Sequence, residues 1–143
     1  MRTVRHLLEV KGHEVFAIDP DAAVIDAVRL MASRQVGSVL VMRGSTLEGM
    51  FSERDYARKV VLEGLSSKTT PVRDIMTREV VTVGLDDHVP HCMEIVTRQR
   101  IRHLPVVDAG GTVLGLVSIG DLVKAVIEDQ QIELEQLHSY IAG

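Results

Sequence analysis

A chain of 143 residues with 45% hydrophobic content is long enough for one compact domain or two very small ones tied together, and with only 3% aromatics its core must be built from Val, Leu, Ile, Ala and Met. A net charge of −4 argues against a general nucleic-acid or anionic-membrane surface. Cys92 is the only cysteine, so no intrachain disulfide can form, which fits a reducing compartment. No apolar run reaches the roughly 18 residues of a membrane span. The opening Met1-Arg-Thr-Val-Arg-His6 is not followed by a signal-peptide core, so the expectation is a cytoplasmic protein.

In chain order, Val4-Arg-His-Leu-Leu8 predicts a short apolar turn and Val15-Phe-Ala-Ile18 a strand. Asp19-Pro-Asp21 is helix-start chemistry, and Val24, Ala27, Val28 and Met31 follow the i, i+3, i+4, i+7 spacing of one helical face. Ser38–Met42 predicts a strand, Arg43-Gly-Ser-Thr46 a hairpin turn, and Gly49-Met-Phe-Ser52-Glu-Arg-Asp55 a strand that enters a helix. The polar connector Glu63–Pro71 follows.

The same series then repeats. Val72-Arg-Asp-Ile-Met76 answers the opening turn, and Val80–Val83 predicts a strand. Val89, Cys92, Met93 and Val96 give a second helical face, His103–Val107 a strand, and Asp108-Ala-Gly-Gly-Thr112 a hairpin. Gly115-Leu-Val-Ser118-Ile-Gly-Asp121 is the second strand-to-helix passage. From Val24/Val89 to Met31/Val96 the offset between copies is 65, and from Gly49/Gly115 to Asp55/Asp121 it is 66, because the second hairpin is one residue longer. Two copies of strand, helix, strand, hairpin, strand, helix predict an α/β fold. Neither copy buries enough surface alone, so the two are expected to pack sheet against sheet about a pseudo-two-fold axis, leaving two equivalent clefts. The boundaries read 1–66 for the first repeat, 67–130 for the second and 131–143 for a C-terminal helical extension. In that extension Ile127, Leu134 and Ile141 recur every seven residues, which suits packing on a second subunit or back on the same chain.

Each Ser-x-x-Asp places a hydroxyl and a carboxylate at a helix start. Such a pair can simply cap the helix. The same place offers backbone N–H groups and a positive dipole end to an anion, and the carboxylate suits a pair of sugar hydroxyls. His88, His91 and Cys92 share one helical turn, but Cys92 belongs to the apolar face, so they are not read as a metal site.

The chain resembles a tandem pair of cystathionine-beta-synthase (CBS) domains, like the small stand-alone bacterial members of that family. The residues that carry the resemblance are Val36–Val41, Gly49–Tyr56, Asp74-Ile-Met-Thr77, Ile101–Asp108 and Gly115–Leu122. It implies a regulatory, signal-transduction module of two β-α-β-β-α repeats that binds AMP, ADP, ATP, S-adenosylmethionine or NAD, and that forms a homodimer. No catalytic cofactor and no metal are implied, and a protein partner of unknown identity is expected to read the ligand. The resemblance further implies that Asp121 accepts the two ribose hydroxyls, that Ser118 meets phosphate or ribose, and that Arg102 and His103 meet phosphate. Leu104 and Pro105 would border the adenine, and the segment holding His13, Val15 and Phe16 would complete that pocket. The other cleft would use Gly37, Ser38, Val39, Leu40, Ser52, Arg54 and Asp55, closed by Thr77, Val80 and Val81. There Gly37 and Ser38 stand in place of the Arg-His pair, so phosphate charge falls to Arg54, Arg58 or Lys59, and the two sites are expected to be unequal.

Enzyme chemistry finds no support in the motifs. The chain has no Gly-x-x-x-x-Gly-Lys-Ser/Thr, no Gly-x-Ser-x-Gly and no His-Glu-x-x-His.

Overall fold

The computed structural model describes residues 2–142. The elements are α1 (Val4–Lys11), β1 (Ala17–Ile18), α2 (Val24–Arg34), β2 (Ser38–Arg43), β3 (Thr46–Ser52), α3 (Glu53–Asp55), α4 (Val89–Gln99), β4 (His103–Val107), β5 (Val113–Ser118) and α5 (Ile119–Ala142). A π-helical segment, Tyr56–Val61, continues α3, and a 3-10 turn covers Val72–Asp74. Among the described residues no helix is long and apolar enough to cross a membrane.

The chain divides into two compact units that exchange the opening segments of the repeats. Glu14–Val81 with Gly110–Val113 forms one; the residues up to His13, Thr82–Ala109 and those from Leu114 onward form the other. The opening of each repeat is therefore folded with the body of its twin.

In the unit built on the first repeat, β1 pairs parallel with β2 (Ala17 with Leu40, Ile18 with Val41), and β2 pairs antiparallel with β3. The parallel pair is connected through α2, the crossover that parallel strands require. Val24, Ala27 and Met31 of α2 are buried against Val39, Val41 and Phe51 of the sheet, together with Val60, Val72, Ile75 and Met76. Val28, counted on the same helical face, is only partly buried.

In the other unit β4 pairs with β5. Where the sequence predicts a strand over Val80–Val83, the structure has only a parallel bridge from Val83 to Val106: Val83 N–H donates to the Pro105 carbonyl at 3.0 Å and Val107 N–H to the Val83 carbonyl at 2.9 Å. The buried face of α4 is Val89, Cys92, Ile95 and Val96; α4 packs on α5, whose buried residues are Leu122 and Ala125. Burial, with Asp87 adding to it, pushes the Cys92 thiol up to about 11, as expected of a packing residue rather than a reactive one.

The repeat extends to the backbone. Gln35 and Arg100, one repeat apart, both end their helices at φ 55, a left-handed conformation uncommon for residues with a side chain. The two motif glycines also share a cause, since each is the point where the exchanged opening segment crosses a strand. A Cβ on Gly49 would stand 2.7 Å from the Thr77 carbonyl oxygen and 2.8 Å from Met76 Sδ. On Gly115 the nearest atoms would be those of the Leu8 side chain, at 2.9 Å. A leucine end can rotate, whereas the Thr77 backbone is pinned by the reciprocal Met50–Thr77 bonds at 3.0 and 2.8 Å. Gly49→Ala is thus expected to lower stability by about 1–3 kcal/mol and Gly115→Ala by clearly less, as read from urea midpoints.

The opening turn departs most from expectation. Val4–Lys11 is a full helix of eight residues with Val4, Leu7 and Leu8 buried, whereas its counterpart after Pro71 is a single 3-10 turn. The offset between copies falls from 68 at Val4/Val72 to 65 by Val15/Val80, so the first copy carries three more residues before its strand. Those residues are spent on lengthening α1, which carries Lys11 to a place that nothing in the second copy matches.

Candidate functional site

Both Ser-x-x-Asp pairs form reciprocal caps. At the start of α5, Asp121 N–H donates to Ser118 Oγ at 3.1 Å, and Ser118 N–H donates to Asp121 Oδ2 at 2.8 Å. At α3, Asp55 N–H donates to Ser52 Oγ at 3.2 Å, and Ser52 N–H donates to Asp55 Oδ2 at 3.0 Å. The capping function is thus present in both copies, and what distinguishes them is what else each carboxylate holds.

Asp121 is approached by α1. Lys11 Nζ donates to Asp121 Oδ2 at 2.6 Å and to the Leu116 carbonyl at 2.8 Å. Burial works to raise the Asp121 pKa, but the Lys11 bond, the Ser118 amide and the Lys11 charge outweigh it and hold the carboxyl below its ordinary value. His13 Nδ1 lies 2.7 Å from the Leu114 carbonyl oxygen, an acceptor only, so Nδ1 is the protonated nitrogen. Arg102 is exposed, and its carbonyl accepts the Ile119 N–H at 2.8 Å, which ties the start of α5 to the start of β4. His103 is partly buried; burial first, then Lys11 and Arg102, lower its pKa, with Asp121 acting the other way. A groove of about 390 Å³ opens beside this cluster between α1 and α5, with His6, Lys11, Asp121 and Lys124 among its walls. Lys11 thus clasps the carboxylate, Lys124 lines the same groove, and Arg102 and His103 stand at the start of the neighbouring strand.

Because its folded pKa is depressed, neutral His103 contributes stability that is complete above the ordinary imidazole value near about 6.5 and is lost as pH falls through the folded value. A phosphate placed against Arg102 and Lys11 would reverse the cause. Imidazole NMR titration is expected to show the His103 pKa rising when a nucleoside monophosphate is added; an unchanged value would contradict phosphate placement there.

Asp55 is a different case. It is only 8% exposed, and its carboxylate takes four donors: Ser52 N–H and Ser52 Oγ on Oδ2, both at 3.0 Å, and Thr77 Oγ1 at 3.1 Å and Lys59 Nζ at 3.0 Å on Oδ1. A carboxylate has about four lone-pair positions, so this one is filled. Lys59 also donates to the Ile75 carbonyl at 3.2 Å. Of the cations expected to serve phosphate in this cleft, Lys59 is thus committed to Asp55, while Arg54 and Arg58 are exposed. The Glu53 N–H donates to the Gly37 carbonyl at 3.0 Å, which brings Gly37 and Ser38 to the start of α3.

The remaining expected site residues separate into walls and core. Val39, Leu40 and Leu104 are at most 1% exposed and Pro105 is buried, so their side chains are spent in packing and only their backbone groups can face a ligand. Thr77 is exposed beside Asp55, with Val80 and Val81 partly buried further along the same segment. His13 joins the Asp121 unit, whereas Val15 and Phe16 belong to the other unit, where the Arg34 guanidinium lies 5.2 Å from the Phe16 ring centre. Sequence reasoning missed Lys11 and underrated Lys59. The signal for Lys11 lay in the Val4, Leu7, Leu8, Lys11 spacing, which continues a helix past the apolar turn.

Comparison with known proteins agrees with this architecture. The sequence model of the CBS domain matches residues 7–62 and 72–128. The mitochondrial CBS domain-containing protein CBSX3 of Arabidopsis thaliana is 43% identical over 128 residues, covering 86% of this chain and 62% of that protein. A solved structure of a CBS-domain protein from Burkholderia ambifaria is 45% identical with a TM-score of 0.84, over 90% of this chain and 96% of that one. A CBS domain protein from Pyrobaculum aerophilum, solved in complex with AMP, is 25% identical with a TM-score of 0.75, over 84% and 89% of the two chains.

Proposed function

Because the chain belongs to the CBS-domain family, with one matched domain in each half, we propose that it is a non-catalytic regulatory module whose second-repeat site binds an adenine nucleotide. The observation that carries this reading is Asp121. It is ionised, it is held at the start of a 24-residue helix, the Lys11 ammonium and the Ser118 N–H both fall on Oδ2, and His103 lies close enough to feel its charge, with Arg102 next to His103 in the chain. A carboxylate in that state offers further acceptor capacity to ribose hydroxyls, and the cations offer themselves to phosphate. On binding, Lys11 exchanges Asp121 for the phosphate, so the ligand acts on α1 as well as on α5. A partner that distinguishes the two positions of α1 can then respond, since a ligand shifts a protein only through differential affinity for its states. The AMP held by the Pyrobaculum relative supports the ligand class.

A second reading keeps the interaction role and treats the clefts as vestigial. The filled carboxylate of Asp55 favours it for the first-repeat site alone. Equilibrium dialysis against AMP, ATP, NAD and S-adenosylmethionine separates the two. Binding of at least one, with the ligand recovered unchanged, supports the sensor; no binding of any at millimolar concentration contradicts it, and turnover contradicts the non-catalytic part.

A further inference from the structure

The last helix outlasts the body that supports it. Leu122 and Ala125 of α5 are buried, and Arg2 ties Glu128 and Asp129 at 2.6 and 3.0 Å. From Gln130 to Ala142 every described residue is exposed, and this stretch lies beyond the second CBS match, which ends at 128. A helical end of this length is marginal in water without a partner surface. Val123, Ile127, Gln130, Leu134, Leu137 and Ile141 follow one another in steps of 4, 3, 4, 3 and 4. That is the a/d seam of a two-stranded coiled coil. Its five apolar members are between 40% and 75% exposed.

We propose that this seam pairs with the same seam of a second copy, parallel and in register. Two features of the sequence select that occupant and that direction. In parallel register Gln130 meets Gln130, so its amide finds a partner, and Glu133 at a g position faces His138 at the following e position of the other copy. The antiparallel alternative that aligns the same layers sets Gln130 against Leu134 and Glu133 against Glu133, leaving a polar group unmatched and like charges together. The remaining acids, Glu128, Asp129 and Glu135, fall at outer positions b and c, where two copies do not confront them. From Val123 to Ile141 the seam runs about 27 Å at 1.5 Å per residue.

The test uses the full chain. Sedimentation equilibrium at about 10 μM is expected to give a dimer, weakened at least about tenfold by the double change Leu134→Asp and Leu137→Asp. Both positions are exposed, so the body is expected to stay folded, as judged by near-native circular dichroism. Gln130→Cys is expected to form a disulfide-linked dimer under mild oxidation, whereas Glu135→Cys, at an outer position, is not; Cys92 is buried and does not compete. A monomer at this concentration, a dimer indifferent to the two aspartates, no cross-link at position 130, or an equally fast cross-link at position 135 would each overturn the proposal.

Discussion

Asp121→Ala is expected to weaken adenine-nucleotide binding by about tenfold to a hundredfold, the loss of a charge-assisted hydrogen bond worth about 1.5–3 kcal/mol. The fold should survive it. Ser118 Oγ still caps α5 through the backbone N–H of residue 121, so the stability cost stays near about 1 kcal/mol. The change also releases Lys11 from its 2.6 Å bond, and a freed ammonium can still attract phosphate. The deficit should therefore be greater for adenosine, which has only the ribose to offer, than for AMP. Asp121→Asn keeps an acceptor without the charge and should fall between. The pH dependence follows from the depressed folded pKa. The ionised Asp121 contributes stability that is complete above the ordinary carboxylate value near about 4 and is lost as pH falls through the folded value, so acid unfolding of Asp121→Asn should lack that component.

Asp55→Ala is expected to do the reverse, costing stability more than binding. Its buried carboxylate gathers the Ser52 amide and hydroxyl, the Thr77 hydroxyl and the Lys59 ammonium. Removing it breaks four bonds at once and unfastens the segment that carries Thr77 from the start of α3. Lys59 and Thr77 can turn to water, so the cost is less than for a fully buried ion pair; about 2–4 kcal/mol is expected, read as a lower urea midpoint at unchanged slope. Nucleotide affinity at the Asp121 site should change by less than about threefold. If Asp55→Ala instead abolished binding while leaving stability intact, the assignment of the two aspartates would be exchanged.

The contrast between these two positions shows what a sequence can and cannot convey. Fold class, the two repeats and the placing of both Ser-x-x-Asp pairs at helix starts were legible, because they rest on local periodicity and on an internal comparison in which each half checks the other. The one-residue hairpin insertion was legible for the same reason. Lys11 was not, since it lies 110 positions from its carboxylate and the repeat offers no counterpart to compare. What was visible was the three-residue excess near it, without the knowledge that it would become helix. The filled state of Asp55 was hidden for a related reason: Thr77 reaches it only because the opening segment of the second repeat folds with the first. The strand expected at Val80–Val83 reduces to one bridge, because alternation of apolar residues marks an edge that can pair but does not say how far it does.

The most direct test is a crystal structure of the chain grown with AMP at millimolar concentration. The expected result is a nucleotide whose ribose hydroxyls lie within hydrogen-bond distance of Asp121, with Lys11 Nζ moved from that carboxylate to the phosphate and the Asp55 carboxylate still holding its four donors. AMP ordered elsewhere on the chain, or crystals without it in which Lys11 still clasps Asp121, would contradict the account.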